Sequence, residues 1–209
     1  MALLHRATLR PSKLELLSTW LPDRPWAAGA GELRQVGAYR YDDPAGEVGI
    51  EAHLVQGAGG TVLHVPLTYR GAPLAGADHA LVGTTEHSVL GPRWVYDGCA
   101  DPVWVAALAR AVLAGAPQAE EQVDVDGQLV TREPSARVTG SGGAADPALP
   151  EDTPALTPSD DGPTTVVRAG GLELVVVRVV GTEPPGEHVL TGTWSAGGPA
   201  TLAVVRPAP

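Results

Sequence analysis

Residues 47–70, EVGIEAHLVQGAGGTVLHVPLTYR, decide the fold. Two runs of alternating residues flank Gly57-Ala58-Gly59-Gly60, and a period of two is the mark of a half-buried strand. A symmetric hairpin sets Leu54 opposite Leu63, Ala52 opposite Val65, Ile50 opposite Leu67 and Val48 opposite Tyr69. Every pair on that face is apolar or aromatic, as a buried face requires. The other face then pairs His53 with His64 and Glu47 with Arg70, with Glu51 between them. A preceding strand, residues 33–41, joins through DDPAG at 42–46. Its symmetric register sets Tyr39 across from Gly49 and Tyr41 across from Glu47. Tyr39, Tyr41, Glu47, Glu51, His53, His64, Thr68 and Arg70 are therefore expected on one sheet face.

Helices bracket this meander. Ser12 and Glu15 have the S-x-x-E spacing of a capping box, followed by Leu14, Leu17 and Leu21, with Pro22 as the stop. Asp101-Pro102 opens a second helix, an acid at the N-cap and proline at the first turn. Val103, Ala107, Leu108, Ala111 and Val112 give it an apolar face, and Gly115 and Pro117 end it. Further strands are expected at 81–89 and 93–96 around Leu90-Gly91-Pro92. Beyond the second helix the chain reads as β-structure. Hairpins are expected at 123–130 around Asp126-Gly127, at 164–180 around Gly170-Gly171 with Arg168 facing Glu173, and at 188–206. Residues 140–163 hold five acids, no base and many Pro, Ala and Gly, the composition of a linker. The fold class is α+β: a helix packed on an antiparallel sheet, with a mostly β C-terminal extension.

Composition narrows the function. The 209 residues include no Phe, one lysine (Lys13) against thirteen arginines, and a net charge of −10. The pI of about 4.9 and the lack of a basic run argue against nucleic acid and anionic membranes as partners. Cys99 is the only cysteine, so neither an internal disulfide nor a Cys-based zinc site is expected. The N-terminal apolar stretch is too short for a signal-peptide core, and the run 103–116 is too short to span a bilayer. A cytoplasmic protein is expected.

Chemistry-bearing residues fall into three groups. His53, His64 and Glu51 are the candidate metal ligands, since cross-strand imidazoles with a carboxylate two residues along can reach one ion; no fourth ligand is fixed, and no metal or other cofactor is assigned. Tyr39, Tyr41, Glu47, Glu51 and Arg70 form a candidate small-molecule face, because tyrosine stacks on sugars and arginine pairs with carboxylate or phosphate in bidentate fashion. His87 and Arg93, in EHSVLGPRWVYDG, extend it across a turn. His87 and Ser88 are strand neighbours pointing to opposite faces, so they cannot act on each other. With no Phe, the Trp and Tyr residues must supply most of the large core volume.

The stretches PSKLELLSTWLP, VGAYRYDDPAGEVGIEAHLV, HVPLTYRGAPL and EHSVLGPRWVYDGCADPVW resemble the maltokinase N-terminal cap-like family. The resemblance covers residues 11 to about 115 and continues weakly through GLELVVVRVV. It implies a cystatin-like cap at 1–118, followed by a hairpin at 119–139, the linker at 140–163 and hairpins at 164–209 that complete or pack on the sheet. In maltokinases such a cap precedes a kinase body. This sequence shows no Gly-rich phosphate loop followed by Lys, no H-x-D loop and no D-F-G-like magnesium site, so phosphoryl transfer is not carried over. The resemblance implies a stand-alone, non-catalytic accessory or regulatory protein. Its partner would be an enzyme, or a sugar-like ligand, of α-glucan, trehalose or maltose metabolism. Two alternatives stand beside it: a small hydrolase or lyase using the His/Glu/Arg face, and a cap acting in trans on a sugar kinase.

Overall fold

A computed structural model describes residues 2–4, 8–125, 128–143 and 154–209. Among the described residues the chain builds two six-stranded antiparallel sheets, one small sheet and two α-helices, an α+β architecture. The first sheet holds β2 (Leu9–Arg10), β3 (Arg34–Tyr41), β4 (Gly49–Gln56), β5 (Val62–Arg70), β6 (Leu81–His87) and β7 (Gly91–Asp97), in the order β2-β6-β7-β5-β4-β3. The second holds β10 (Ala136–Gly140), β11 (Ser159–Asp161), β12 (Thr164–Ala169), β13 (Leu172–Val177), β14 (His188–Trp194) and β15 (Gly197–Pro207), in the order β10-β14-β15-β13-β12-β11. β1 (Ala2–Leu4) runs parallel to β8 (Glu121–Val125), which pairs with β9 (Gln128–Arg132). The Asp126-Gly127 turn and residues 144–153 of the expected linker lie outside the described residues. The linker's ends are folded: Gly140 closes β10, and Ser159–Asp161 form an edge strand.

Both helices begin where their caps dictate. In α1 (Lys13–Trp20), the Ser12 hydroxyl accepts from the Glu15 N–H while the Glu15 carboxylate accepts from the Ser12 N–H at 2.7 Å. Its buried Leu16, Leu17 and Trp20 share a core with Val55, Leu63, Val65, Leu67 and Val95 of the first sheet. In α2 (Pro102–Ala114), Asp101 caps the Val103 N–H at 3.0 Å, and Gly115 ends the helix in the left-handed region at φ +68°. The sequence suggests one apolar face for α2, but nine of its thirteen residues are buried. The helix shares one core with Tyr39, Tyr41, Ile50, Ala52 and Leu54 of the first sheet and with Leu174, Val176, Leu190, Leu202 and Val205 of the second. A helix covered on opposite sides is apolar nearly all round.

The central hairpin is offset by one residue from the symmetric reading. Gln56 pairs with Val62, Leu54 with His64 and His53 with Val65. The cause is local: the Gly57 N–H donates to the Thr61 carbonyl at 3.0 Å, which sets Gly57 opposite Thr61 and leaves only residues 58–60 to turn the chain. A one-residue offset sends one strand's side chains to the other face. His53 and His64 consequently lie on opposite faces. The β3–β4 register also departs from expectation, with Tyr39 opposite Ala52 and Tyr41 opposite Ile50. Here the Asp43 carboxylate accepts from the N–H groups of Ala45, Glu47 and Val48 at 2.8–3.1 Å, which holds 42–48 as a longer loop. An irregularity between Gln35 and Gly37 adjusts the far end of the strand.

The two large sheets are joined at the start of β5. Leu63 bridges Val179, and the His64 N–H donates to the Arg178 carbonyl at 2.9 Å. Arg178 is fully buried. Its guanidinium pairs with Asp97, donates to Thr165 Oγ1 at 2.8 Å and lies over the Trp26 ring at 4.7 Å. Residues far apart in sequence thus converge on one buried charge, as a low-dielectric interior demands, although Arg178 Nη1 has no hydrogen-bond partner among the described residues.

Candidate functional site

α1 is only eight residues long, so it covers part of one face of the first sheet and leaves the rest open. In the observed register that open part carries Arg40 on β3, Glu51 on β4, Tyr69 on β5, Arg93 on β7 and His87 on β6, with His53 fully buried beside Glu51 on the same face. Lys13, in the first turn of α1, borders it on one side. Glu121 of β8, Arg132 of β9 and Ser135 border it on another. Together they form a cleft of about 610 Å³, the size that takes a small organic ligand. The loop 42–48, pinned by Asp43, forms its rim.

Glu51 is the centre of the cleft's electrostatics. It is 5% exposed, yet its carboxylate accepts from Lys13, sits 3.0 Å from the Arg40 guanidinium and lies 3.5 Å from His53 Nε2. Burial alone would raise its pKa. His53, Arg40 and Lys13 outweigh burial and hold the carboxyl well below the usual range. Burial lowers the Lys13 pKa, assisted by Arg40 and opposed by Glu51. Burial raises Glu121, against the pull of Arg40 and Arg132. The Tyr69 hydroxyl is raised well above its usual value, first by burial and then by Glu51. It lies 3.2 Å from His53 Nε2, while Gln35 Oε1 lies 3.3 Å from His53 Nδ1. The amide oxygen can only accept, so Nδ1 carries a proton, while Nε2 faces both the Tyr69 hydroxyl and the Glu51 carboxylate.

Of the residues singled out in the sequence, Glu51, His53, His87 and Arg93 share this face. The His87 Nδ1 accepts the N–H groups of Val89 and Leu90 at 3.2 and 3.1 Å, which shapes the β6–β7 turn. His87 pairs across the ladder with Gly91, not with Arg93 or Asp97; Asp97 sits at the other end of β7, against Arg178. Glu47 is exposed in the rim loop and does not pair with Arg70. Arg70 instead grips Asp101 with two hydrogen bonds of 2.7 Å. Tyr39, Tyr41 and His64 belong to the core shared with the second sheet, although Tyr41 also reaches the cleft at the β3 edge. The proposed His53–His64–Glu51 metal set is therefore split by the sheet itself. Among the described residues no group of three or more His, Cys, Asp or Glu is placed to hold an ion. Cys99 is buried, and burial raises its thiol pKa well above the usual value, so it is not an activated nucleophile.

Lys13, Arg40, Tyr69, Glu121 and Arg132 complete the cleft without having been singled out in the sequence. Arg40 was recoverable, because the true register sets it directly opposite Glu51. Lys13 carried a signal of its own, as the only lysine of the chain. Glu121 and Arg132 arrive by tertiary packing and have no local signature. Among the described residues no helix is long and apolar enough to cross a membrane. Residues 20–101 match the family model of the maltokinase N-terminal cap domain. No curated protein matches the chain. The match takes in the cleft floor, with Arg40, Glu51, Tyr69, His87 and Arg93, and excludes Lys13, Glu121 and Arg132.

Proposed function

Since residues 20–101 belong to the maltokinase N-terminal cap family, we propose that this protein is a non-catalytic, cytoplasmic accessory of maltokinase-related α-glucan metabolism whose cleft binds a neutral sugar. One observation carries this reading. The buried charges of the cleft are matched internally, Glu51 by Lys13 and Arg40, and Glu121 by Arg132 at 3.8 Å. A wall of paired guanidinium and carboxylate groups offers many directional donors and acceptors with little net charge, which suits hydroxyl groups. The same pairing disfavours the hydrolase or lyase alternative, because Glu51 and His53 are engaged with each other and their neighbours. A cystatin-like description of the cap agrees with α1 lying on the curled first sheet. A partner enzyme of the same metabolism, including a sugar kinase capped in trans, would dock near the cleft mouth, where Val89 and Leu90 are exposed.

The test is a thermal-shift and calorimetry series with maltose, maltotriose, trehalose and glucose. A sugar at 100 times its dissociation constant should stabilise the fold by about 2.7 kcal/mol. For a chain of this size that raises Tm by roughly 5–10 °C. The shift should be lost in Arg40→Gln or Glu121→Gln. No shift with any of the four sugars would remove the sugar-binding reading.

A further inference from the structure

The geometry points to Lys13 as a covalent capture residue: its amine condenses reversibly with the open-chain aldehyde of a reducing sugar held in the cleft. This rests on the sugar-binding reading and narrows its ligand class. The first observation is compositional. Thirteen arginines serve every other basic position of the sequence, and the single lysine stands at the border of the cleft. Arginine cannot lose its proton under ordinary conditions and cannot form an imine, whereas lysine can do both. The second observation is the setting. The Lys13 side chain lines the cleft and is one-quarter exposed, with Nζ 5.6 Å from the Tyr69 ring centroid. The Arg40 guanidinium bears on the same carboxylate and disfavours a second cation beside it. Glu51, in direct contact with the amine, holds it at the cleft wall. Partial desolvation and a neighbouring cation are circumstances that activate a lysine.

The step balances with water alone. The ammonium gives up a proton to water, the Nζ lone pair attacks the aldehyde carbon, and the carbinolamine takes a proton from water and loses its oxygen as water. One C=N bond replaces one C=O bond, and no oxidant or reductant takes part. Glu121, the other carboxylate acting on Lys13, faces it from β8.

Maltose and trehalose are isomeric disaccharides, the first reducing and the second not, so they separate this chemistry from binding. The folded chain is incubated with each in the presence of cyanoborohydride, which freezes an imine as a secondary amine, and the adduct is located by peptide mass spectrometry. The N-terminal amine is the internal comparison. With maltose the label should accumulate on Lys13 at a rate that saturates with sugar concentration; trehalose should give none. Lys13→Arg should abolish the label. Label confined to the N-terminus would overturn the proposal, as would a Lys13 rate that rises linearly and equals that of the urea-unfolded chain. If calorimetry shows binding under those conditions, the imine fails and the sugar reading stands. If calorimetry shows no binding, the sugar reading fails as well.

Discussion

Acid should loosen this fold through one histidine, His64, which is fully buried between the two large sheets. Its Nδ1 lies 3.1 Å from the Val177 carbonyl and its Nε2 lies 2.9 Å from the Tyr39 hydroxyl. A carbonyl can only accept, so Nδ1 carries the proton and Nε2 accepts from Tyr39. The ring is thereby neutral. Burial, reinforced by the Arg178 charge, pushes its pKa down to about 3. In the unfolded chain it returns to about 6.5. The unfolded state therefore binds the proton first as pH falls. The stabilisation is complete above the unfolded value and drains away between about 6.5 and 3. At pH 5 the loss from this group is about 2 kcal/mol, and at pH 4 about 3 kcal/mol. The assay is urea unfolding of the parent and His64→Gln at pH 7.5, 6 and 5. The variant should be less stable at pH 7.5 by about 1–3 kcal/mol, from its lost hydrogen bonds. That deficit should shrink by about 2 kcal/mol on going to pH 5, because only the parent carries the buried imidazole. A deficit that stays constant across this range would refute the reasoning. It would mean that His64 titrates in the folded state much as it does in the unfolded one.

Two further substitutions probe the frame around α2. Asp101→Ala removes the helix cap, worth about 1 kcal/mol, and strands Arg70, whose side chain is one-fifth exposed and so partly solvated. The combined loss should be roughly 2–3 kcal/mol by urea unfolding, and a loss under about 1 kcal/mol would show that the Arg70 pair contributes nothing. Gly140→Ala would place a Cβ 1.8 Å from the Ala111 carbonyl oxygen of α2, a contact that only movement of the helix can relieve. A destabilisation of about 1–3 kcal/mol, read as a lower Tm, is expected, and an unchanged Tm would mean that β10 and α2 do not approach this closely.

The parts of the fold that local chemistry dictates were legible in the sequence. The Ser12/Glu15 box and the Asp101-Pro102 start each satisfy backbone donors within a few residues, so their signatures are short and unambiguous. The Arg168–Glu173 pairing was legible for the same reason, because Gly170-Gly171 leaves little choice of turn. Register across Gly57–Gly60 was not. Four small residues admit several loop closures, and whether Gly57 belongs to the loop or lies opposite Thr61 turns on one hydrogen bond between them. That single residue decided which of His53 and His64 faced Glu51. An apolar match on the assumed face was no safeguard, since β4 and β5 are buried over most of their length and both registers bury apolar residues. Asp43 misled in a related way: DDPAG reads as a tight turn, but its carboxylate reaches five residues ahead. Glu51, His53, His87 and Arg93 share one face, on strands that the sequence made recognisable. Tyr39, Tyr41, His64 and Arg70 lie on the opposite face, because an odd register error exchanges faces.

The division of the cleft between matched and unmatched sequence bears on where its specificity resides. Its floor comes from strands within residues 20–101, and a floor of this kind is set by sheet geometry. Its borders come from Lys13 on one side and from Glu121 and Arg132 on the other, all outside that segment. Glu51 alone would be an unfavourable buried charge, since a carboxylate removed from water requires compensation. One of its cations, Arg40, comes from the adjacent strand of the floor, and the other, Lys13, comes from the border. The border is therefore part of what keeps the floor ionised. The matched segment by itself lacks Lys13, Glu121 and Arg132, and with them part of the cleft's charge balance. The helix before the matched segment and the small sheet after it therefore finish a cleft whose floor the segment supplies.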